Sequence, residues 1–156
     1  MRILGIDPGT GILGFGVVDC DKGHYSMVTA GVIHTPAHTP LQDRLAEIYD
    51  GLQEIIAETR PQVASIEKLF FARNVTTAMS VSHARGVAML VAHKNGLEIA
   101  EYTPLQIKQT LTGYGKADKK QVQEMVRLQL ALQQVPKPDD AADALAAAIT
   151  HALMSR

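Results

Sequence analysis

The sequence is short of several things, and each shortage removes a class of protein. It has one cysteine, Cys20, in 156 residues. A lone thiol cannot close an internal disulfide, which sets the chain apart from small disulfide-stapled scaffolds and predicts a reducing, cytoplasmic compartment. Cys20 itself reads as a small apolar filler. With one cysteine there is no Cys-x2–4-Cys pair to join any of the six histidines (His24, His34, His38, His83, His93 and His151), so a zinc site is not expected. They read as structural or surface residues. No apolar run reaches membrane-spanning length, and the first residues lack the charged-then-apolar layout of a signal peptide, so no membrane partner is expected. Tryptophan is absent, and the aromatics are four tyrosines and three phenylalanines. Repeats, low-complexity tracts and linkers are missing too, which predicts a single domain over residues 1–156.

Net charge is also nearly absent, at −1, but the near-zero value hides a division. Residues 68–137 hold ten Lys and Arg against four acids, or +6, and the remainder holds five against twelve, or −7. A basic half beside an acidic half suggests a polyanion bound next to a carboxylate cluster, although solvated faces can also segregate charge.

What is present begins with Arg2-Ile3-Leu4-Gly5-Ile6-Asp7-Pro8-Gly9-Thr10-Gly11. An apolar run ends on a carboxylate and is stopped by Pro8-Gly9. A second run, Leu13 to Val18, predicts a hairpin that holds Asp7 at the mouth of a sheet. Glycines 9, 11, 14 and 16 leave the surrounding backbone bare, which predicts close approach of a phosphorylated group. A third strand is predicted over 24–34. A helix opening at Thr39 or Pro40 follows, with apolar residues every three or four positions to about Arg60. Val63 to Glu67 reads as a short strand, again ending on a carboxylate. A helix over 76–95 is apolar all round, so it is expected to be covered both by the sheet and by a second subunit. A strand over 97–103, a short helix over 104–111, a helix from Asp118 or Lys119 to about Leu132 and an alanine-rich helix over 139–154 complete the order. Three antiparallel strands followed by βαβ units predict an α/β fold, with a mixed five-stranded sheet flanked by helices.

The carboxylates converge in this scheme. Asp7 and Glu67 close buried strands whose ends can meet. Asp140 and Asp143 are three apart on the first turn of the last helix and share a face. Ala141, Ala142, Ala144, Ala146, Ala147 and Ala148 let that helix approach the sheet. Four hard oxygen ligands without His or Cys suit Mg²⁺ or Mn²⁺, and two such ions could clamp a phosphodiester for in-line attack by water. Two plainer readings stand beside this one: Asp7 can start an Asx turn, and Asp140 and Asp143 can stabilise a helix start. Asp139, on another side of the helix, reads as its cap.

Phe70 and Phe71 lie side by side in a basic loop. Adjacent side chains in extended chain point opposite ways, so one can pack inward while the other stacks on an unpaired base; the sequence does not say which. Arg85 reads as a dimer or core ion-pair residue. Tyr114, between two glycines, is either a DNA contact or a loop tip.

Taken together, Gly5-Ile6-Asp7-Pro8-Gly9, Ile66-Glu67-Lys68-Leu69-Phe70, Ala84-Arg85-Gly86, Gln106-Ile107-Lys108-Gln109-Thr110, Lys119-Lys120-Gln121-Val122-Gln123 and Asp140-Ala141-Ala142-Asp143-Ala144-Leu145-Ala146 resemble the RuvC Holliday-junction resolvases over nearly the whole chain. The first motif is shared with sugar kinases and actin-like ATPases; the six in order are specific. The resemblance implies a ribonuclease-H-like fold, a bacterial cytoplasmic homodimer, and paired metal-dependent nicking of four-way DNA junctions. It also implies a branch-migration helicase partner (RuvA and RuvB). It implies that Asp7, Glu67, Asp140 and Asp143 are metal ligands, that Phe70 stacks at the junction, and that Lys108 and Lys119 contact the DNA backbone. The neighbouring Lys116 and Lys120 are expected to do the same. An actin-like phosphotransferase would need two lobes and a second phosphate loop. A non-catalytic junction binder would not require all four acids.

Overall fold

The computed structural model describes residues 1–68 and 75–156. Strands β1 (Arg2–Asp7), β2 (Ile12–Asp21) and β3 (His24–His34) form an antiparallel meander, and β4 (Val63–Glu67) and β5 (Glu98–Tyr102) extend it in parallel with β1. The strand order is β3-β2-β1-β4-β5, the mixed five-stranded sheet expected from the order of elements. Helices α1 (Leu41–Thr59) and α2 (Val75–Lys94) are the crossovers, and α3 (Pro104–Thr112), α4 (Lys119–Gln129) and α5 (Asp139–Met154) follow β5. Two helices start on reciprocal caps: Thr103 with Gln106 before α3, and Asp118 with Gln121 before α4. α4 stops about three residues earlier than its apolar spacing predicts. There Ala131 turns into the left-handed region (φ 52°) and Leu132 N–H closes back on the Arg127 carbonyl at 2.9 Å.

The strand period of two separates the sheet into two cores. On β1, Leu4 and Ile6 face the α1 and α2 side, where they join Ile48, Leu52, Ala84, Ala88 and Val91. Ile3 faces the opposite side with Val18, Val63 and Leu145, under α3, α4 and α5. Gly5 and Asp7 share the parity of Ile3, as Ser65 and Glu67 share that of Val63. Both strand-end carboxylates therefore stand on the α5 side.

On that side α5 lies directly on backbone. Gly5 pairs with Gly16 and Asp7 with Gly14 across β1 and β2. A Cβ on Gly5 would fall 1.9 Å from the Ala144 carbonyl oxygen, and one on Gly14 would fall 2.0 Å from that of Asp140. One on Gly16 would fall 2.6 Å from the Leu145 side chain. Ser65 Oγ donates to the Ala147 carbonyl at 2.7 Å, a buried bond of about 0.5–1.5 kcal/mol that pins the same helix to β4. These contacts correct the expected role of the glycines. The space over Gly14 and Gly16 is taken by α5, and that at Gly9 by the Ile12 carbonyl, 2.2 Å from a Cβ placed there. At Gly14 and Gly16 the bare backbone serves helix packing, at Gly9 it serves the turn, and Gly11 faces the Arg44 guanidinium.

α2 is one-sided in this fold. Ala78, Ala84, Ala88, Val91 and Ala92 are buried, whereas Val75, Met79 and Leu90 are exposed. Arg85 forms a partly buried ion pair with Glu101 of β5, in keeping with a core ion-pair role.

Candidate active site

Asp7 and Glu67 end neighbouring parallel strands. The register runs Ile3–Val63 to Ile6–Ile66, so one step further sets the two acids side by side, close enough for each to act on the other. The first turn of α5 arrives from above. Gly14 receives the Asp140 backbone, with the Asp140 Cβ 3.1 Å from where a Cβ on Gly14 would lie. Asp143 is one turn along, close enough to act on both strand-end acids.

The helix start corrects one expectation. The N-cap position of α5 is Pro138, and no side chain caps the helix. Asp139 is therefore not the cap. Its carboxylate lies 3.3 Å from Lys119 Nζ and accepts from Gln123 Nε2 at 3.1 Å. Asp140 and Asp143 make no capping bond either, and Asp140 lies in the first turn, where its charge suits the helix N-terminus.

Electrostatically the site is strained. Burial pushes the Asp7 carboxyl up to about 9, helped by the charges of Glu67 and Asp143, the bond to Glu67, and Asp140. Burial also raises Glu67, against the opposing pull of its bond to Asp7 and, more weakly, of Lys108 and Lys119. Asp143 is raised by burial as well, with Lys119, 3.7 Å away, working the other way. Burial disfavours the charge on Lys119, but Asp143, Asp139 and Asp140 together outweigh it and hold the ammonium above its ordinary value. As they stand, no three acidic, histidine or cysteine side chains among the described residues close into a ligand shell. Of the four acids, Asp143 stands 3.7 Å from Lys119 Nζ. The donor set is four hard oxygens whose mutual repulsion a divalent cation would relieve, so Asp7, Glu67, Asp140 and Asp143 fit such an ion chemically.

Beside the acids opens a cavity of about 340 Å³ between α3, α4 and α5, walled by Glu67, Asp143, Lys108, Ala117, Asp118 and Lys119. Lys108 and Lys119 thus border the acids. Lys116 is exposed on the turn before α4. Lys120 faces a separate surface hollow beside Thr112 and Glu124, away from the acids. Phe70 and Phe71 lie outside the described residues.

Sequence reasoning missed the clamp on the turn after Asp7. Buried Thr10 donates from Oγ1 to the Ser80 carbonyl of α2 at 2.7 Å and also contacts the Ser80 hydroxyl. Its own carbonyl accepts from Thr35 Oγ1 at 2.5 Å, and Thr35 Oγ1 in turn accepts from Arg44 Nε at 2.9 Å. The signal was a threonine following Pro-Gly, whose partners are too distant in sequence to be seen.

The family profile described as crossover junction endodeoxyribonuclease RuvC matches residues 3–151. The chain belongs to the RuvC family. Curated RuvC proteins similar to it include one from Brevibacillus brevis, 55% identical over 152 residues (97% of this chain and 92% of that one). Another, from Chloroflexus aurantiacus, is 53% identical, with 97% and 93% covered. Among solved structures, T. thermophilus RuvC in complex with Holliday junction substrate superposes with a TM-score of 0.95 at 36% identity, covering 100% of this chain and 95% of that one. The five-stranded mixed sheet with flanking helices is the ribonuclease-H-like fold of RuvC.

Proposed function

We propose that this protein resolves Holliday junctions during recombination and repair, cutting four-way DNA by paired, symmetric, metal-dependent nicks. It would act as one nuclease domain over residues 1–156. The observation that carries the reading is the meeting of Asp7 and Glu67, from adjacent parallel strands, with Asp140 and Asp143 of α5. These four would hold Mg²⁺ or Mn²⁺, two ions per subunit. Bound there, the ions would supply Lewis-acid activation of water and stabilise charge on the phosphodiester.

The chain's own residues do the rest. The glycine floor and the Ser65 bond set α5, and hence two acids, at fixed height over the sheet. Lys108 and Lys119 border the cavity and would hold the DNA backbone as point charges. Lys116 and Lys120 would extend that contact outward. Phe70 would stack at the junction. A homodimer formed through the exposed Val75, Met79 and Leu90 side of α2 would set two sites in matching positions for two nicks. No described helix is long and apolar enough to cross a membrane. The cytoplasm of a bacterium and a branch-migration complex of RuvA and RuvB would be the setting.

The test is incubation of a synthetic four-way junction, beside a linear duplex, with the protein and Mg²⁺ or Mn²⁺. Asp7→Asn keeps size and removes an anionic ligand, so it should abolish cleavage while leaving junction binding intact. Near-parental cleavage by that variant would sink the assignment of the site.

A further inference from the structure

Past the lysines, the site continues into a surface that the carboxylate chemistry does not use. Lys108 borders two hollows: the one shared with Glu67 and Asp143, and a second of about 220 Å³ formed with Pro104, Leu105 and Gly115. Leu105, which lines this second hollow, is 61% exposed, and Tyr114, next in the chain to its lining residue Gly115, is 56% exposed.

The Tyr114 turn is built, not loose. Gly113 takes the left-handed conformation that ends α3 (φ 75°). The Tyr114 N–H donates to Thr112 Oγ1 at 3.1 Å, and the Tyr114 carbonyl accepts from Thr112 Oγ1 at 3.0 Å and from Ala117 N–H at 3.1 Å. Gln109 Nε2 donates to the Gly113 carbonyl at 3.1 Å. Gly115 folds onto Leu105 so closely that a Cβ there would fall 2.7 Å from Leu105 Cδ1. The backbone is thus fixed while the ring is left outside, with no hydrogen bond to its hydroxyl among the described residues. Within residues 102–117 the charged side chains are Lys108 and Lys116, and Asp118, which follows, is engaged as the N-cap of α4. An exposed aromatic on a rigid tip, in a basic stretch leading from the acids, has the chemistry of a base-stacking platform.

We propose that Tyr114, flanked by Leu105, is a stacking site for an unpaired or unstacked nucleobase of the junction strand that reaches the acidic site along Lys108. The proposal rests on the junction-nuclease reading above and adds a contact on the turn between α3 and α4, beside the cavity. Lys116 would take the adjoining phosphate.

The test uses the full chain and a four-way junction carrying 2-aminopurine beside the crossover, with an unbranched duplex as control. Tyr114→Ala should weaken junction binding roughly five- to a hundredfold and raise the bound-state 2-aminopurine fluorescence. Tyr114→Phe should restore both. Neither change removes a phosphate contact, so the salt slope should stay at the parental value. Thermal melting should also stay parental, because the side chain is exposed. Junction binding by Tyr114→Ala within twofold of the parent would overturn the platform, as would a loss that Phe does not restore. A parent that binds junctions but nicks none with Mg²⁺ or Mn²⁺ would overturn the nuclease reading separately. A parent that binds no junction would overturn both.

Discussion

Gly5→Ala should disable the site without touching any of its acids. The added Cβ would sit 1.9 Å from the Ala144 carbonyl oxygen and 2.9 Å from the Ala148 nitrogen, where contacts below 3.0 Å are not tolerated. Both atoms are backbone, so no side chain can swing aside, and the gap between β1 and α5 must open by about 1 Å. Overpacking of this kind costs about 1–3 kcal/mol of stability, which a domain of this size can survive. The same movement carries Asp140 and Asp143 away from Asp7 and Glu67. A misplacement of about 1 Å is worth roughly a hundredfold in rate. The assay is single-turnover nicking of a four-way junction, run beside binding and thermal melting. The expected result is a folded protein with a lowered melting temperature, cleavage down by about two orders of magnitude, and binding much less affected, because Lys108 and Lys116 are not on α5. A Gly5→Ala variant that melts and cuts like the parent would refute both the packing argument and the dependence of the site on the height of α5.

Three further outcomes are expected. Lys119→Ala should lower the salt slope of junction binding by roughly 0.9, one phosphate contact's worth; an unchanged slope would place Lys119 off the DNA path. Leu90→Asp, at a side chain 52% exposed, should yield a folded monomer by light scattering if α2 is the intersubunit face, whereas Val87 packs against the inner core and is unsuitable for the test. A dimer that persists in the Leu90 variant would move the interface elsewhere. Burial holds His151, bonded through Nδ1 to Tyr102 at 2.8 Å, below its ordinary value of 6.5. The unfolded chain therefore binds the proton first as pH falls, and the stability that depends on neutral His151 is whole above 6.5 and lost progressively below it. His151→Gln should flatten the melting temperature between pH 7.5 and 5.5; an equal slope in the variant would acquit His151.

Much of the fold was legible because its signals are local. Apolar runs ending on Asp7 and Glu67 give strands, the three- and four-residue spacing from Leu41 to Ile56 gives α1, and the alanines after Asp139 give α5. The expectation that the four acids meet came from strand ends and one helix face, both properties of period. What failed depends on partners distant in sequence. Gly14 and Gly16 read as open backbone because nothing near them in sequence announces that Asp140 and Leu145 will lie on top. Asp139 has the right residue type for a cap, but its carboxylate goes to Lys119 and Gln123, which are brought beside it by the packing of α4 on α5. Arg85 was legible only as far as wanting an acid, since Glu101 comes alongside it only once β5 has joined the sheet.

The parallel pairing of β1 with β4 and the seating of α5 over both have a consequence for the order of assembly. The meander of β1, β2 and β3 is local in sequence, but β1 must wait some sixty residues for β4 and far longer for the helix that covers it. Such non-local pairings form late, because the long loops must close first. Until α5 docks, at most two of the four acids are in place. A chain still emerging from the ribosome, or one caught half-folded, therefore lacks a complete acidic cluster. With the last pair of carboxylates carried on a helix that also forms much of the core, the capacity to cut DNA would arrive together with the native state and be lost with it.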